Sequence, residues 1–443
     1  MNLRRGLRRA LAYLCLALAG PLTCAAQQAP TEQLRQRFMD AMAATRSGQP
    51  AAADDPALRG YVLYPYLQAA RLQRQLQTAT PAAPGTVDAS LPVDAEIAAF
   101  LASQGRNPVA RELRGAWLAS LARRGSWPAF LAEFDPGRDT AATTLCQSFT
   151  ARVVLGRTAG LVEDLSAAWL TPRNLPDACD GPLGWWKERG GPGTELIERR
   201  ARLALQSGEA ALARVLAGGL PASRSAPLLQ WALLIEQPTR EIPALIAEPE
   251  RRVEPEALQD GWLRFARADA ARAAATYPSL VASRRLDARN ASPLALSVAL
   301  ALAWSRLPGA LDFFALVHPD DFDERGHEWH ARAALWAGNW QRVAGAIVAM
   351  PDALRTQPRW QYWAARAAER LGNFAAARAG YAAVIPTDNW YAALASARLD
   401  RKVTPNLQPL PLDDTNISAL EAEPGFRRAR ELLYCRMADE ASA

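Results

Sequence analysis

The sequence predicts an all-α protein: a superhelical array of helix pairs, tetratricopeptide-like, with a ring or horseshoe outline. Three observations carry that expectation. Half of the residues are hydrophobic, and the dominant ones, Ala and Leu, are strong helix formers. β-branched runs of strand length are nearly absent. One phrase also recurs: an Ala/Leu/Arg-rich helix stops at a Gly, and an aromatic or small residue two places on opens the next helix.

The phrase reads AWLASLARRGSWPAFLAEF over 116–134, RARLALQSGEAALARVLAG over 200–218 and ARAALWAGNWQRVAGAIVAM over 331–350. Its last clear copy is YWAARAAERLGNFAAARAGYAAVI over 362–385. Gly338 and Gly372 lie 34 residues apart, the period of a tetratricopeptide-like pair. A Gly at such a turn takes the left-handed conformation that ends a helix without steric cost. Trp340 or Phe374 is then expected to fold the new helix back onto the old one. Leu, Ala and Trp at steps of three and four give each helix an apolar stripe that one hairpin cannot bury alone, so neighbours stack. The earlier spacing drifts, with Gly125 and Gly208 83 residues apart, so the array is not a strict repeat.

Taken in order, the elements begin with Met1–Arg9, which holds Arg4, Arg5, Arg8 and Arg9. An uncharged apolar run, Ala10–Leu22, and the small residues Thr23-Cys24-Ala25-Ala26 follow. That layout predicts a secretory signal peptide over 1–26, cut after Ala26. Thr23 before Cys24 does not suit a lipid-modified cysteine. About 417 residues then remain, too many for one compact core. Residues 27–402 are read as the helix-pair domain. Loops are expected at Thr78–Pro92, Thr171–Gly184 and Lys187–Thr194. Pro293–Trp304 is apolar but too short to span a bilayer, so it reads as a buried helix. The segment 403–415, rich in Pro, reads as an extended linker. A last helix follows over roughly 416–437.

The net charge is +6, and with Lys187 and Lys402 as the lysines, 49 of the 51 basic residues are Arg. Arg is accompanied by Asp or Glu at helical spacing, as in Glu195, Glu198, Arg199 and Arg202. That is a solvated helix face, not a nucleic-acid footprint, because no basic cluster with interleaved aromatics occurs. The surface would suit an acidic polymer. Beyond the leader, Cys146, Cys179 and Cys435 remain; export makes a disulfide plausible, and three cysteines leave one over.

Candidate chemistry is sparse. His327, Glu328 and His330 stand in HEWH, where the histidines are three apart, not the four of a zinc-protease helix. Only His318 offers a third ligand, so the expectation is a polar helix face beside Trp329 and Trp336, with no metal and no cofactor. Asp320, Asp321, Asp323 and Glu324 could furnish an acid–base pair, but read better as an N-cap and first turn. Gly190–Gly193 is too Pro-broken to cradle phosphate. The 14 Trp are expected chiefly in the core, with a sugar-stacking groove as the alternative.

GYVLYPYLQAARLQRQL over 60–76, with Leu63-Tyr64-Pro65-Tyr66-Leu67 at its centre, resembles the opening helix of the soluble lytic murein transglycosylases. The resemblance continues through 97–134, through Leu170-Thr171 and Pro176-Asp177-Ala178-Cys179-Asp180, through Arg359-Trp360-Gln361-Tyr362-Trp363, and through Trp390–Ala397. Arg428-Ala429-Arg430-Glu431-Leu432-Leu433-Tyr434 looks like the start of that family's small linker domain. The resemblance implies a disulfide between Cys146 and Cys179, a superhelical domain curled into a ring, and 416–443 as the start of a truncated linker domain. It also implies a periplasmic location and peptidoglycan glycan strands as partner, with cell-wall synthesis or hydrolysis proteins as further partners. The family cleaves the bond between N-acetylmuramic acid and N-acetylglucosamine through one Glu of a Glu-Ser motif, leaving a 1,6-anhydro product. No Glu-Ser pair occurs in this sequence. The expectation is therefore a scaffold that lacks the catalytic domain, has no catalytic residue of its own and is inactive alone. The alternative is a non-catalytic periplasmic adaptor that binds a protein partner.

Overall fold

A computed structural model describes residues 22–49, 53–78, 91–105, 107–405, 407 and 413–442. The expected leader over 1–26 lies outside them as far as residue 21, and so does most of the 78–92 loop. Every regular element among the described residues is helical, which makes the fold the all-α array of helix pairs that the composition predicts. The chain divides into two compact units. One comprises Met1–Leu165, Leu175–Gly191 and Leu410–Ala443; the other comprises Ser166–Asn174 and Pro192–Pro409.

In the second unit consecutive helices stack in sequence, from Thr194–Gln206 and Ala210–Ala217 through Pro255–Ala268, Ala270–Ser283 and Ala288–Trp304 to Glu324–Trp336 and Trp340–Val348. Trp262 and Phe265 are fully buried at its centre, and the Trp262 indole donates to the Leu294 carbonyl at 2.9 Å. Small Ala residues such as Ala295, Ala299 and Ala303 line the neighbouring helix, so backbones approach closely around the large rings. The turns follow the expected chemistry. Gly338 has φ 63° and Gly372 φ 85°, and each donates its N–H to a carbonyl of the helix it closes. Trp340 packs back onto the preceding helix as expected. Phe374 does not: it stands 65% exposed, because the Asn373 cap orients its helix so that Ala377 and Tyr381 meet the core instead.

In the first unit the helices Leu22–Ser47, Tyr64–Thr78 and Pro108–Arg124 carry the core. The expected single helix over 416–437 is three: Asp414–Ala422, Pro424–Tyr434 and Ala438–Ala441. Pro424 cannot donate to the preceding turn, so the chain breaks there and restarts with Pro in its first turn. Leu432 and Cys435 of the second piece are buried against Phe38, Tyr61 and Leu63. Their neighbour Glu431 takes two hydrogen bonds from the Arg35 guanidinium, at 2.7 and 2.8 Å, and one from the Tyr61 hydroxyl at 2.7 Å. The Arg35 bonds hold the Glu431 carboxyl below its ordinary range against the opposing effect of burial. Burial, with the Glu431 hydrogen bond, pushes the Tyr61 hydroxyl up. Thr171–Gly184, expected as a loop, holds a short 3-10 turn at Asp177–Cys179 and the start of the helix Asp180–Lys187.

Candidate functional site

The sequence-predicted groups are dispersed. Cys146 and Cys179 are joined in a disulfide between Ala142–Val154 and the turn before Asp180–Lys187, with both cysteines buried. Cys435 is the free, buried thiol. His327 and His330 share the helix Glu324–Trp336, and their rings stack on aromatics, His327 on Phe322 at 5.0 Å and His330 on Phe314 at 4.8 Å. Burial pushes the His330 imidazole down to about 4, so it is neutral at ordinary pH. Glu328 pairs with Arg332 at 3.2 Å and with Arg359. His318 is spent as a cap, its Nδ1 accepting from the Asp320 N–H at 3.3 Å. Among the described residues no group of three or more His, Cys, Asp or Glu is placed to hold a metal ion.

The acidic cluster divides its work. Asp323 caps the helix Glu324–Trp336 by accepting from the Gly326 N–H at 2.6 Å. Asp321 instead reaches the preceding helix, taking hydrogen bonds from Arg289 at 2.7 Å and Ser292 at 2.5 Å. These carboxylates are structural.

A large concavity in the second unit lies where the sequence offers no motif. A cleft of about 830 Å³ is bounded by the loop 249–255, by Ser283–Leu286 and by the start of the helix Ala288–Trp304. Five arginines line it, Arg251, Arg252, Arg284, Arg285 and Arg289, against two carboxylates, Glu250 and Asp321. Three of the five have structural duties. Arg284 donates to the carbonyls of Arg251 at 2.6 Å, Glu248 at 3.1 Å and Pro249 at 3.3 Å, and also to that of Leu245. It thereby satisfies the carbonyl end of the helix Pro238–Ala247 and fixes the loop beyond it. Arg251 pairs with buried Glu241 at 2.9 Å, and Arg289 with Asp321. Arg252 and Arg285 are exposed and have no ion-pair partner among the described residues.

Arg285 is also conformationally unusual. It holds φ 51° at the position after the cap of Ala270–Ser283, where the turns at Gly338 and Gly372 use glycine. Its N–H donates to the Ala282 carbonyl at 3.1 Å, and that of Leu286 to Val281 at 3.0 Å, the same closure as the glycine turns make. A non-glycine residue in this region costs about 1 kcal/mol or more. A glycine signal does not mark this turn in the sequence. An Arg two places before an Asp N-cap, Arg285-Leu286-Asp287, is the signal that could have marked it.

Such a site offers fixed positive charge. It can hold carboxylates or other anions by charge-assisted hydrogen bonds.

No family model matches this sequence. The chain is 25% identical over 391 residues to the soluble lytic murein transglycosylase of Salmonella typhimurium, covering 87% of this chain and 58% of that protein. It is 24% identical, with the same coverage, to that of Escherichia coli K12. It thus spans 58% of the length of the curated relatives it matches. Among solved structures, the 70-kDa soluble lytic transglycosylase of Escherichia coli superposes with a TM-score of 0.72 at 22% identity, over 93% of this chain and 64% of that one. The complex of a 70-kDa soluble lytic transglycosylase with bulgecin A gives 0.71 at 22% identity, over 94% and 64%. An inactive mutant of the lytic transglycosylase Slt from Pseudomonas aeruginosa gives 0.70 at 24% identity, over 92% and 64%. In sequence and in fold the chain is thus similar to the soluble lytic murein transglycosylases, over the part of those proteins that it matches.

Proposed function

We propose that this chain is the peptidoglycan-associated scaffold part of a lytic murein transglycosylase, acting in the periplasm. The observation that carries the reading is the continuous 391-residue match to proteins named soluble lytic murein transglycosylase. On this reading residues 1–26 are the leader and 27–402 the helix-pair domain. Residues 403–415 are the linker, and 416–443 begin the linker domain. The Glu that cleaves the glycosidic bond lies outside the residues matched here, and the present residues hold the substrate. The Arg-lined cleft supports the holding role, since peptidoglycan carries carboxylates and guanidinium pairs well with them.

Two measurements on the purified chain test this. Cell-wall sacculi should retain the protein at low salt, and retention should fall as salt rises. Incubation with sacculi should release no anhydro-muropeptides. Failure to be retained at low salt favours the protein-binding adaptor, and robust anhydro-muropeptide release places a catalytic group within this chain.

A further inference from the structure

The Arg-lined cleft does not end at Arg289. A second cleft of about 610 Å³ shares Gln259, Pro293 and Asp321 with it, and the two adjoin along the helices Pro255–Ala268 and Ala288–Trp304, which we read as one groove. The far wall of the second cleft is Trp304, the last residue of its helix and 66% exposed. An indole this open keeps most of its surface in water, unlike the buried rings of Trp262 and Phe265.

Trp304 is nonetheless held in place. Its ring lies 4.9 Å from Trp329, and Trp329 lies 5.8 Å from Trp336. Arg306 covers Trp336 at 4.9 Å and Arg332 covers Trp329 at 5.1 Å. Arg306 does so from a second left-handed position occupied by a non-glycine residue, φ 54°. The rings behind Trp304 are therefore backed by neighbours, while Trp304 itself stays open at the groove wall. Around it the groove supplies Arg267 and Arg325, both exposed and without an ion-pair partner among the described residues, beside Gln259 and Ser305. A flat apolar ring face amid planar hydrogen-bonding side chains fits a pyranose ring, which has one C–H-rich face and a rim of hydroxyls. The other end of the groove carries the unpaired guanidiniums of Arg252 and Arg285.

We propose that this groove is a binding site for an acid-bearing oligosaccharide, a sugar ring stacking on Trp304 and a carboxylate about 25 Å along the strand, the length of the helix Ala288–Trp304, held by Arg252 and Arg285. The inference rests on the glycan-holding reading and adds to it a location, a direction and a division of labour. Trp304 supplies recognition of sugar, and the two arginines supply discrimination in favour of acidic sugar. Arg285 keeps its unfavourable backbone conformation because the guanidinium is used there.

The test is calorimetric, on the full chain, with two probes long enough to span the groove: chitohexaose, which is neutral, and a peptidoglycan glycan hexasaccharide freed of stem peptide, whose lactyl groups are carboxylates. The acidic probe should bind more tightly than the neutral one. Trp304→Ala should weaken both by about tenfold, the loss typical of one stacked ring. Arg252→Gln with Arg285→Gly should weaken the acidic probe by about tenfold and leave chitohexaose unchanged. Arg285→Gly should not lower the melting temperature, which separates a lost contact from a damaged fold. The proposal is overturned if Trp304→Ala leaves both affinities intact, if the arginine changes weaken both probes equally, or if neither probe binds. Retention on sacculi is read separately. If sacculi hold the wild type and all variants alike, the glycan-holding reading survives and this groove is not its site; if they hold none, the reading itself falls.

Discussion

The two units reach stability by different routes. In the second unit most packing joins helices adjacent in sequence, and its large core runs unbroken from Ala201 to Ala333. In the first, residues far apart in sequence must meet. Arg35 and Glu431 are 396 positions apart, and Leu432 completes a cluster begun by Phe38. A stacked array can be assembled locally, each pair seating on the last. A seam between distant segments requires long loop closure first, so directional polar contacts fix its register. The second unit should therefore respond mainly to loss of apolar volume, and the first to loss of charge partners and covalent closure.

The largest effect is expected from Trp262→Ala. The ring is fully buried, touches Phe265 and Tyr277 at 5.5 and 6.3 Å, and its N–H is bonded to Leu294. Removal should cost about 3–5 kcal/mol. Urea denaturation followed by hydrogen exchange should localise lost protection to 255–304. Equal loss in the first unit would refute the local, neighbour-only picture of the array.

Next comes the disulfide. Cys146 and Cys179 are 33 residues apart, and closing a loop of that length restrains the unfolded chain by about 3–4 kcal/mol. Peptide mapping without reductant should recover the two cysteines on linked peptides. Reduction should lower the stability of the first unit and leave the second unaffected. Two free thiols in protein purified under oxidising conditions would remove this covalent closure from the comparison.

Glu431→Gln should cost roughly 2–3 kcal/mol, since the buried end of a charge-assisted pair is lost and the half-buried Arg35 guanidinium keeps only Glu32 as a charged partner. Its pH dependence gives the sharper readout. The folded carboxyl titrates below its ordinary 4.5, chiefly through the Arg35 bonds. Its contribution is therefore fully present above that value and is lost as pH falls through the folded pKa. The stability gap between wild type and Glu431→Gln should shrink below about pH 4.5. A gap that stays constant to lower pH would mean that the Arg35–Glu431 pair contributes nothing to the seam.

Much of the array was readable because its determinants are local. Gly338 and Gly372 mark turns that any reader of period and helix ends can place, and Asp323 was read correctly as a cap. What was not readable depends on distance or on a missing cue. Nothing near Glu431 announces Arg35, so the last helices looked like one free element when they are three pieces with a buried face. Trp304 closes an apolar run, and composition assigns it to the core. Only the position of the next helix shows that it is 66% exposed. Trp336 and Trp390, also expected inside, are 47% and 71% exposed for the same reason. Arg285 and Arg306 make glycine-type turns without glycine, so a signal keyed to Gly marks neither turn.

That substitution pattern permits the finest comparison, between turns inside the array. A Cβ added at Gly338 would meet nothing within 4 Å, so Gly338→Ala isolates the cost of the left-handed backbone from any clash. That cost should be about 1 kcal/mol. Arg306→Gly runs the same change in reverse, but it also removes the guanidinium from Trp336, an exposed contact worth about 0.5 kcal/mol. The gain should therefore be smaller than the Gly338 loss, about half of it, by thermal or urea denaturation. If Arg306→Gly instead destabilises the protein by as much as Gly338→Ala does, the arginine is part of the packing and not a residue tolerated for its position. Equal and opposite effects would mean that its cover of Trp336 contributes no stability.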